Sequence, residues 1–296
     1  MKNYIDLHIH SIHSGDGEFT PEVLVRKCEE ANIKIMAIAD HNTISGIEEE
    51  KIYCKKMRII CIPAVEIDCI FNNINLHVIG YGIDYTKEEI IALEKNVFEQ
   101  ELSKSKERLE LTNALGFELK EDELRAVRNS DIWTGELFGE ILLSKEAYKD
   151  HEILKPYRKG GERSDNPYAN FFWDFYGQGK PCYTEIKYPS LDTIIKIVHK
   201  YGGAAVLAHP GNNLKNKYGL FDDMVSLGLD GVEAFSSYHS LEEINYFYRK
   251  GKEKNLLITC GSDYHGKTKP AIAIGDSKCT IDQDSIEKQL KEYGLL

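Results

Sequence analysis

Histidine and carboxylate side chains recur at the ends of apolar segments that have the length of β-strands. His8 and His10 are two residues apart at the end of the first such segment, so on a strand both side chains project to the same face. Further residues of these types follow later segments: Asp40-His41, Glu66, His209 and Asp263-x-His265. His77, by contrast, stands at the beginning of a segment. Converging imidazole and carboxylate groups are ligands for divalent cations, so the pattern predicts a metal centre in which Glu66 could bridge two ions.

Each of these residues taken alone also has a purely structural explanation. Loop histidines often only form hydrogen bonds, and acids at strand ends often cap helices. So many histidines and acids near the ends of predicted strands favour one shared site over independent structural roles. Asp6, just before the first histidine pair, keeps both interpretations, as a residue that orients a ligand or as a cap.

Predicted strands and helices alternate in both halves of the chain, and they position these residues. Apolar runs predict strands over residues 4–10, 35–40, 59–67, 76–83, 204–209, 231–237 and 256–263. Helical spacing predicts helices over residues 20–32, 43–57, 190–201, 221–227, 241–254 and from 282 onward. Near-continuous apolar strands alternating with helices predict a parallel sheet covered on both faces, as in an α/β barrel or a doubly wound sheet.

Residues 86–180 interrupt this alternation. The segment 87–115 reads as one long, charged helix that Gly116 closes, and further helical segments follow without a convincing strand. The pattern predicts an inserted helical lobe.

Composition narrows the class of protein. With 296 residues, 42% of them hydrophobic and 29% charged, the chain is typical of soluble globular proteins. No run approaches a membrane span and no export signal is recognisable, so the cytoplasm is expected. The net charge of −11 argues against an extended nucleic-acid surface. Seven scattered cysteines without a C-x2-C pair indicate reduced thiols.

Six segments, in this order, resemble the PHP (polymerase and histidinol phosphatase) superfamily of metal-dependent phosphoesterases: DLHIHSIHSGDG, AIADHNTISGIEE, PAVEID, HVIGYGI, GGAAVLAHPG and CGSDYHG. The helical insertion and the phrase QGKPCY at its end are most similar to the subgroup of nucleotide phosphatases and RNA 5′-end nucleases. The resemblance implies an α/β fold, a distorted (β/α)7 TIM-like barrel made of residues 1–85 and 181–296. It also implies a small helical cap of residues 86–180 and two or three divalent ions (Mn, Fe, Zn or Mg) at the carboxyl ends of the strands.

Carried over residue by residue, the resemblance implies three groups of metal ligands. They are His8, His10, Glu66 and Asp263 for one ion, Glu66, His77 and His209 for a second, and Asp16, His41 and His265 for a third. Many members of the subgroup read S-D-G where this chain reads Ser14-Gly15-Asp16-Gly17, which places the acid one residue later. Asp16 is the predicted ligand, and His13 is the second candidate.

Substrate contacts are expected from the cap and from one further histidine. The basic segment 155–163 supplies Arg158 and Arg163 as phosphate ligands, unless it is only a solvated loop, and Lys180 lies where the chain re-enters the barrel. His239 matches a histidine that related enzymes place near the phosphate, and either it or a metal-bound water is the candidate proton donor. Glu66 and Asp263, as metal ligands, are the other candidate catalytic residues. A helix cap is its other interpretation. The aromatic residues of 168–176 are either cap core or a surface for stacking a base.

These features predict metal-dependent hydrolysis of a phosphoester, in a nucleotide or a small phosphorylated metabolite, by an activated water. Related phosphatases carry an arginine where this chain reads Ile132-Trp133-Thr134-Gly135-Glu136, so a cyclic phosphodiester is a second candidate substrate. The same metal ligands would also suit an amide or lactone hydrolase or a non-catalytic metal-binding module. The expected partner is a small phosphorylated molecule, with no membrane, and the oligomeric state stays open.

Overall fold

Two β-sheets carry the residues singled out above. The computed structural model describes residues 3–128 and 130–296. The first sheet is parallel and consists, in this order, of β1 (Ile5–Ile9), β2 (Ile35–Ile38) and β3 (Ile60–Cys61). The second contains β4 (Ala64–Phe71), β5 (Ile74–Tyr81), β6 (Ala204–Leu207), β7 (Gly231–Ser236) and β8 (Leu257–Gly261).

Eleven α-helices are found in the described residues. Those of the first and last parts of the chain are α1 (Pro21–Glu30), α2 (Ile47–Met57), α7 (Leu191–Lys200), α8 (Pro210–Leu214), α9 (Leu220–Ser226), α10 (Leu241–Glu253) and α11 (Asp284–Glu292). Those of the insertion are α3 (Glu88–Ala114), α4 (Glu121–Val127), α5 (Gly135–Ser144) and α6 (Pro167–Phe175). Thr20 caps α1 and Ser190 caps α7 through side-chain hydrogen bonds to the backbone.

The sheets differ from the predicted parallel arrangement at one strand. β5 runs antiparallel to both of its neighbours, β4 and β6. Asn72 and Asn73 both have positive φ in the two-residue turn between β4 and β5, a conformation that hairpin turns require and that asparagine tolerates. The apolar pattern of a buried strand is the same in either direction, so it could not show this reversal.

The described residues form two sheets and not one closed barrel. The predicted strand over residues 59–67 is in fact two strands, β3 and β4, because Pro63 between them has no N–H to donate to a ladder. Isolated parallel bridges connect the two sheets: Ile9 pairs with Tyr264, and His41 pairs with Glu66.

Within the described part of residues 86–180, which we call the insertion, the regular elements are all helices and no strand occurs. It has an apolar cluster of its own, which includes Trp133, Phe138 and Phe171. The long helix α3 contacts both parts of the molecule, since Ile90 packs into the core around the sheets and Leu109 packs into this second cluster. Within the described residues, no helix is long and apolar enough to cross a membrane.

Candidate metal centre

The predicted ligands come together at one edge of the sheets. His10, His41, His209, Asp263 and His265 lie just beyond the ends of β1, β2, β6 and β8. His77 joins them from the beginning of a strand, because β5 runs in the opposite direction and its residue His77 pairs with Asp68 on β4. The reversed strand therefore explains the placement of His77 that the sequence pattern left unexplained.

Glu66 is the centre of the arrangement, and its two carboxylate oxygens face different sets of histidines. Its Oε2 lies 3.2 Å from both His8 Nε2 and His10 Nε2 and 3.1 Å from His41 Nδ1. Its Oε1 lies 3.1 Å from His77 Nδ1 and 3.0 Å from His209 Nε2. A carboxylate with one oxygen directed to each of two imidazole sets has the geometry of a bridging ligand.

Asp263 and Asp16 each complete a group of candidate ligands. Asp263 Oδ1 lies 3.5 Å from His8 Nε2 and 3.0 Å from His10 Nε2, so these residues and Glu66 form one buried group. Asp16 Oδ2 lies 3.1 Å from His265 Nε2 and 3.8 Å from His41 Nε2, and with His10 they form another.

His13, the second candidate beside Asp16, lines the cavity over this cluster but belongs to none of the ligand groups. Its ring is one-third exposed and lies 3.9 Å from the Glu49 carboxylate. Asp16 is thus the acid of this loop that the fold brings to the other ligands.

Hydrogen bonds from neighbouring residues orient the candidate ligands. The fully buried Glu233 on β7 lies 3.0 Å from His8 Nδ1 and leaves His8 Nε2 to face Glu66. Ser14 Oγ contacts His10 Nδ1 at 2.9 Å, and Asp68 lies 3.0 Å from His77 Nε2. Such partners fix the ring orientation of metal-binding histidines. Glu233 and Asp68 were not predicted from the sequence, where their only signal is an acid inside an apolar strand.

The donor atoms of the buried group that contains Asp263 fit a divalent cation. His8 Nε2, His10 Nε2, Glu66 Oε2 and Asp263 Oδ1 are buried. Their imidazole nitrogens and carboxylate oxygens lie 3.0–3.5 Å apart, but none of these atoms has a partner with hydrogen-bond geometry among the described residues. Leaving several buried polar atoms unpaired is costly, and a shared divalent cation would satisfy all of them. Nitrogen and oxygen donors of this kind suit Zn, Mn, Fe and related ions.

The electrostatics of the cluster keep His10 and Asp263 in the forms that bind cations. At His8 and His77, burial opposes protonation, but Glu66 and other carboxylates outweigh it and raise the pKa of both rings well above the ordinary value, so a cation must displace a proton there. Burial, assisted by the neighbouring His265 and His41, lowers the pKa of His10 to about 4, so its ring is neutral near pH 7. Burial opposes ionisation of Asp263, but Lys269 and His265 outweigh it and hold the pKa of that carboxyl well below its usual range. Lys269 Nζ contacts Asp263 Oδ2 at 2.8 Å, which leaves Oδ1 directed to the histidines.

Two of the candidate ligands have unusual backbone conformations. His209 has a φ of 22° and Asp263 a φ of 56°, a region that side chains other than glycine rarely adopt. Strain of this kind persists where the surrounding structure requires it and concentrates at functional sites.

A cavity of about 870 Å³ opens over the cluster, between the sheet edge and the insertion. Asp16, His41, His77, His209 and Asp263 lie on its wall. Five cationic residues also line it: Arg108, Arg128, Lys215, Lys217 and Lys269. Aromatic side chains of the insertion, including Phe172, Trp173 and Tyr176, complete the lining, and Lys215 Nζ lies 5.0 Å from the centre of the Trp173 ring.

Arg158 and Arg163 do not line this cavity, which corrects their predicted role as phosphate ligands. The guanidinium of Arg158 donates to the carbonyl oxygens of Leu143 and Tyr148, both at 3.0 Å. The guanidinium of Arg163 contacts both carboxylate oxygens of Asp174, at 2.9 and 3.0 Å. Both arginines are therefore engaged in stabilising the insertion itself.

Lys180 and His239 are also absent from the cavity wall. Lys180 is exposed. His239 is buried, and both of its ring nitrogens are engaged by the backbone, since Nδ1 donates to Ala234 O at 2.9 Å and Nε2 accepts from Gly211 N at 3.0 Å. These contacts contradict a role for His239 as proton donor or phosphate ligand, and they connect β7 to the start of α8.

Comparison with known proteins is consistent with this geometry. A family model described as "PHP domain" matches residues 6–218. The chain is 27% identical to a 5'-3' exoribonuclease of Haemophilus influenzae, over 90% of this chain and 91% of that protein. It is 26% identical to a phosphoribosyl 1,2-cyclic phosphate 1,2-diphosphodiesterase of Eggerthella lenta, over 88% of this chain and 94% of that protein.

Further matches cover nearly the whole chain. A 3',5'-nucleoside bisphosphate phosphatase of Chromobacterium violaceum is 24% identical, over 93% of this chain and 91% of that protein. A crystal structure described as a metal-dependent phosphoesterase of Bifidobacterium adolescentis superposes with a TM-score of 0.78 at 24% identity, covering 97% of this chain and 95% of that one. The latter similarity shows that the fold is shared.

Proposed function

The chain belongs to the PHP domain family, and we propose that it is a metal-dependent phosphoesterase whose reaction takes place at the centre around Glu66. The observation that carries this proposal is the Glu66 carboxylate, whose oxygens face two histidine sets beneath a cavity lined with cations. Two or three divalent ions would be held by the groups described above, with Glu66 shared between two of them.

The ions supply one part of the chemistry. When bound, they polarise a phosphoryl group and lower the pKa of water so that it is a nucleophile near neutral pH. Glu233, Ser14 and Asp68 hold the rings of His8, His10 and His77 in the orientation that directs their free nitrogens inward. No serine or cysteine nucleophile is required.

Recognition of the phosphate falls to cations that the sequence analysis did not single out. Lys215 and Lys217 reach the cavity from the loop that follows α8, whereas Arg108, which also lines it, is paired with Glu101 and Thr184. A cationic wall compensates the charge that a substrate phosphate brings into a low-dielectric site. The aromatic side chains Phe172 and Trp173 offer a flat apolar surface to the rest of the substrate.

A cyclic phosphodiester is a second candidate substrate, and Glu136 favours it. Glu136 lines the cavity in the segment where related phosphatases carry an arginine, and burial raises its pKa to about 7. An acid at this position fits the single negative charge of a diester better than the two charges of a monoester. A relative named as a cyclic phosphate diphosphodiesterase is similar over most of the chain.

A substrate panel tests the proposal. The metal-loaded chain is assayed with nucleoside monophosphates, 3′,5′-bisphosphates, cyclic phosphates, short 5′-phosphorylated RNAs, and amide and lactone substrates. We expect turnover of at least one phosphoester and none of the amides or lactones. Turnover confined to amides or lactones would contradict the proposal.

We also propose that the two sheets are parts of one distorted barrel of residues 1–85 and 181–296 with residues 86–180 as its cap. The bridges Ile9–Tyr264 and His41–Glu66, which connect the sheets at both of their junctions, support the barrel. The separate apolar cluster of the insertion supports the cap.

A further inference from the structure

A second cluster of potential metal ligands lies outside the centre around Glu66. Glu50 and Cys54 are on α2, one helical turn apart, and Cys61 is on β3, the edge strand of the first sheet. One ligand atom from each of these three residues lies within 4.8 Å of the other two. None of the three belongs to the ligand groups of the main centre.

Glu50 is the unusual member of this cluster. Its side chain is fully buried, and Oε1 accepts a hydrogen bond from the backbone N–H of Ile38 at 2.9 Å. Its Oε2 is buried and has no hydrogen-bond partner among the described residues. A buried carboxyl group with one unpaired oxygen lowers the free energy of unfolding relative to an apolar side chain of similar size. A cation bound to that oxygen would remove this cost.

The two cysteines supply the matching donors. Cys54 is buried, whereas Cys61 is partly exposed, so an ion has a path from the solvent along the edge strand. Thiolate and carboxylate groups together are a donor set for tetrahedral zinc, and hard cations such as Mg²⁺ and Ca²⁺ disfavour sulfur.

We propose that Glu50, Cys54 and Cys61 form a second metal site, which takes a thiophilic divalent cation such as Zn²⁺ and leaves a fourth position for water. Binding releases the protons of both thiols and of the carboxyl group to the solvent. The site would fix α2 against β2, whose end leads to His41 three residues beyond Ile38.

Cobalt spectroscopy separates this site from the main centre. Only thiolate ligands give Co²⁺ an intense near-ultraviolet charge-transfer band, and the main centre contains none. The reduced full-length chain is titrated with Co²⁺, beside the variants Cys54→Ser, Cys61→Ser and Glu50→Gln. Cys182→Ser, in the apolar cluster of the insertion, is the matched control.

We expect the band in the wild type and in the Cys182 variant, a decrease of at least about half in each variant of the cluster cysteines, and at least about tenfold weaker cobalt binding in Glu50→Gln. A wild type without the band, or an undiminished band in Cys61→Ser, would overturn the proposal. If a variant does not fold, alkylation of the wild-type chain tests the proposal without it. Zn²⁺ should protect the partly exposed Cys61, but not the comparably exposed Cys279, from alkylation mapped by mass spectrometry, and equal labelling of Cys61 with and without Zn²⁺ would overturn the proposal.

Discussion

At the scale of single residues, Glu66 is the carboxylate at the centre of the candidate ligands. It is fully buried, yet the surrounding histidines outweigh burial and hold the pKa of its carboxyl well below the usual range. Its two oxygens contact five imidazole nitrogens between them. Replacing it therefore affects more than one ligand group at once.

Metal content measures this directly. Glu66→Gln should lose more bound metal than His41→Asn, because the amide weakens two groups of ligands whereas the loss of the His41 ring leaves the group of His8, His10 and Asp263 intact. Elemental analysis of both variants after dialysis gives the comparison. Glu94→Gln, which changes an acid on the cavity wall that contacts Thr43 and Ser45, is the control and should retain full metal content. Full metal content in Glu66→Gln would contradict the bridging role.

A second comparison concerns arginine. Arg128 donates to the carbonyl oxygens of Ile12, Gly15 and Gly17, and so fixes the loop that carries Asp16. Losing charged hydrogen bonds of this kind costs about 1.5–3 kcal/mol, which corresponds to about 10- to 150-fold in kcat/KM if the loop must stay in place. Arg128→Ala should show this decrease in steady-state kinetics.

The matched control is Arg163→Ala. Arg163 forms an ion pair with Asp174 that is about one-third exposed, and exposed pairs contribute little. We expect its kcat/KM to stay within about twofold of the wild type. A large loss in Arg163→Ala with none in Arg128→Ala would reverse the assignment.

At the scale of secondary structure elements, the sequence predicts most strands and helices but not how the strands are joined. Alternating apolar runs and caps such as Thr20 and Ser190 are local signals, and the structure has these elements within a few residues of their predicted bounds. The direction of β5 depends on the Asn72-Asn73 turn, and the break at Pro63 depends on a missing N–H. An apolar pattern carries neither kind of information.

The close contact of β8 with β1 and β7 gives an element-scale prediction. A Cβ at Gly261 would overlap His8 Cβ and Glu233 Oε1, so Gly261→Ala must displace a candidate ligand and its partner. Overpacking of this kind costs about 1–3 kcal/mol of the free energy of unfolding, measured by denaturant titration. Metal content should fall as well. Gly219→Ala, where nothing lies within 4 Å, should leave both unchanged, and equal behaviour of the two variants would contradict this packing.

The packing of α2 against β2 predicts a pH dependence. Burial raises the pKa of Glu50 well above its ordinary value of 4.5. As the pH rises above 4.5, the unfolded state ionises Glu50 and the folded state does not, so the free energy of unfolding of the metal-free wild type decreases relative to Glu50→Gln. Urea titrations in chelator over a pH series measure this growing difference.

The control for that series lies on the same helix. Glu48 is exposed, and its hydrogen bonds to Tyr85 and Lys51 lower its pKa, so Glu48→Gln should not gain stability over the wild type as the pH rises. A difference between Glu50→Gln and the wild type that stays constant with pH would contradict the buried, neutral state of Glu50.

At the scale of the whole molecule, the cavity over the candidate metal centre is lined both by the insertion and by residues around the sheets. Sequence patterns describe these two parts of the chain only separately. The candidate ligands could be singled out from the sequence because their types and their positions near strand ends are local features. The cations on the cavity wall were not, because only the contact between insertion and sheets decides that Arg108 and Arg128 face the cavity while Arg158 and Arg163 bind within the insertion.

The central claim is that phosphoester hydrolysis depends on metal bound at the centre around Glu66. The most direct measurement is turnover of a responsive phosphoester as a function of bound Mn²⁺ per chain, starting from chelator-treated protein that elemental analysis shows to be metal-free. We predict no turnover in the metal-free chain, recovery that requires about two bound ions, and no recovery in Glu66→Gln at the same Mn²⁺ concentrations. Full turnover by the metal-free wild type, or equal recovery in Glu66→Gln, would contradict the claim.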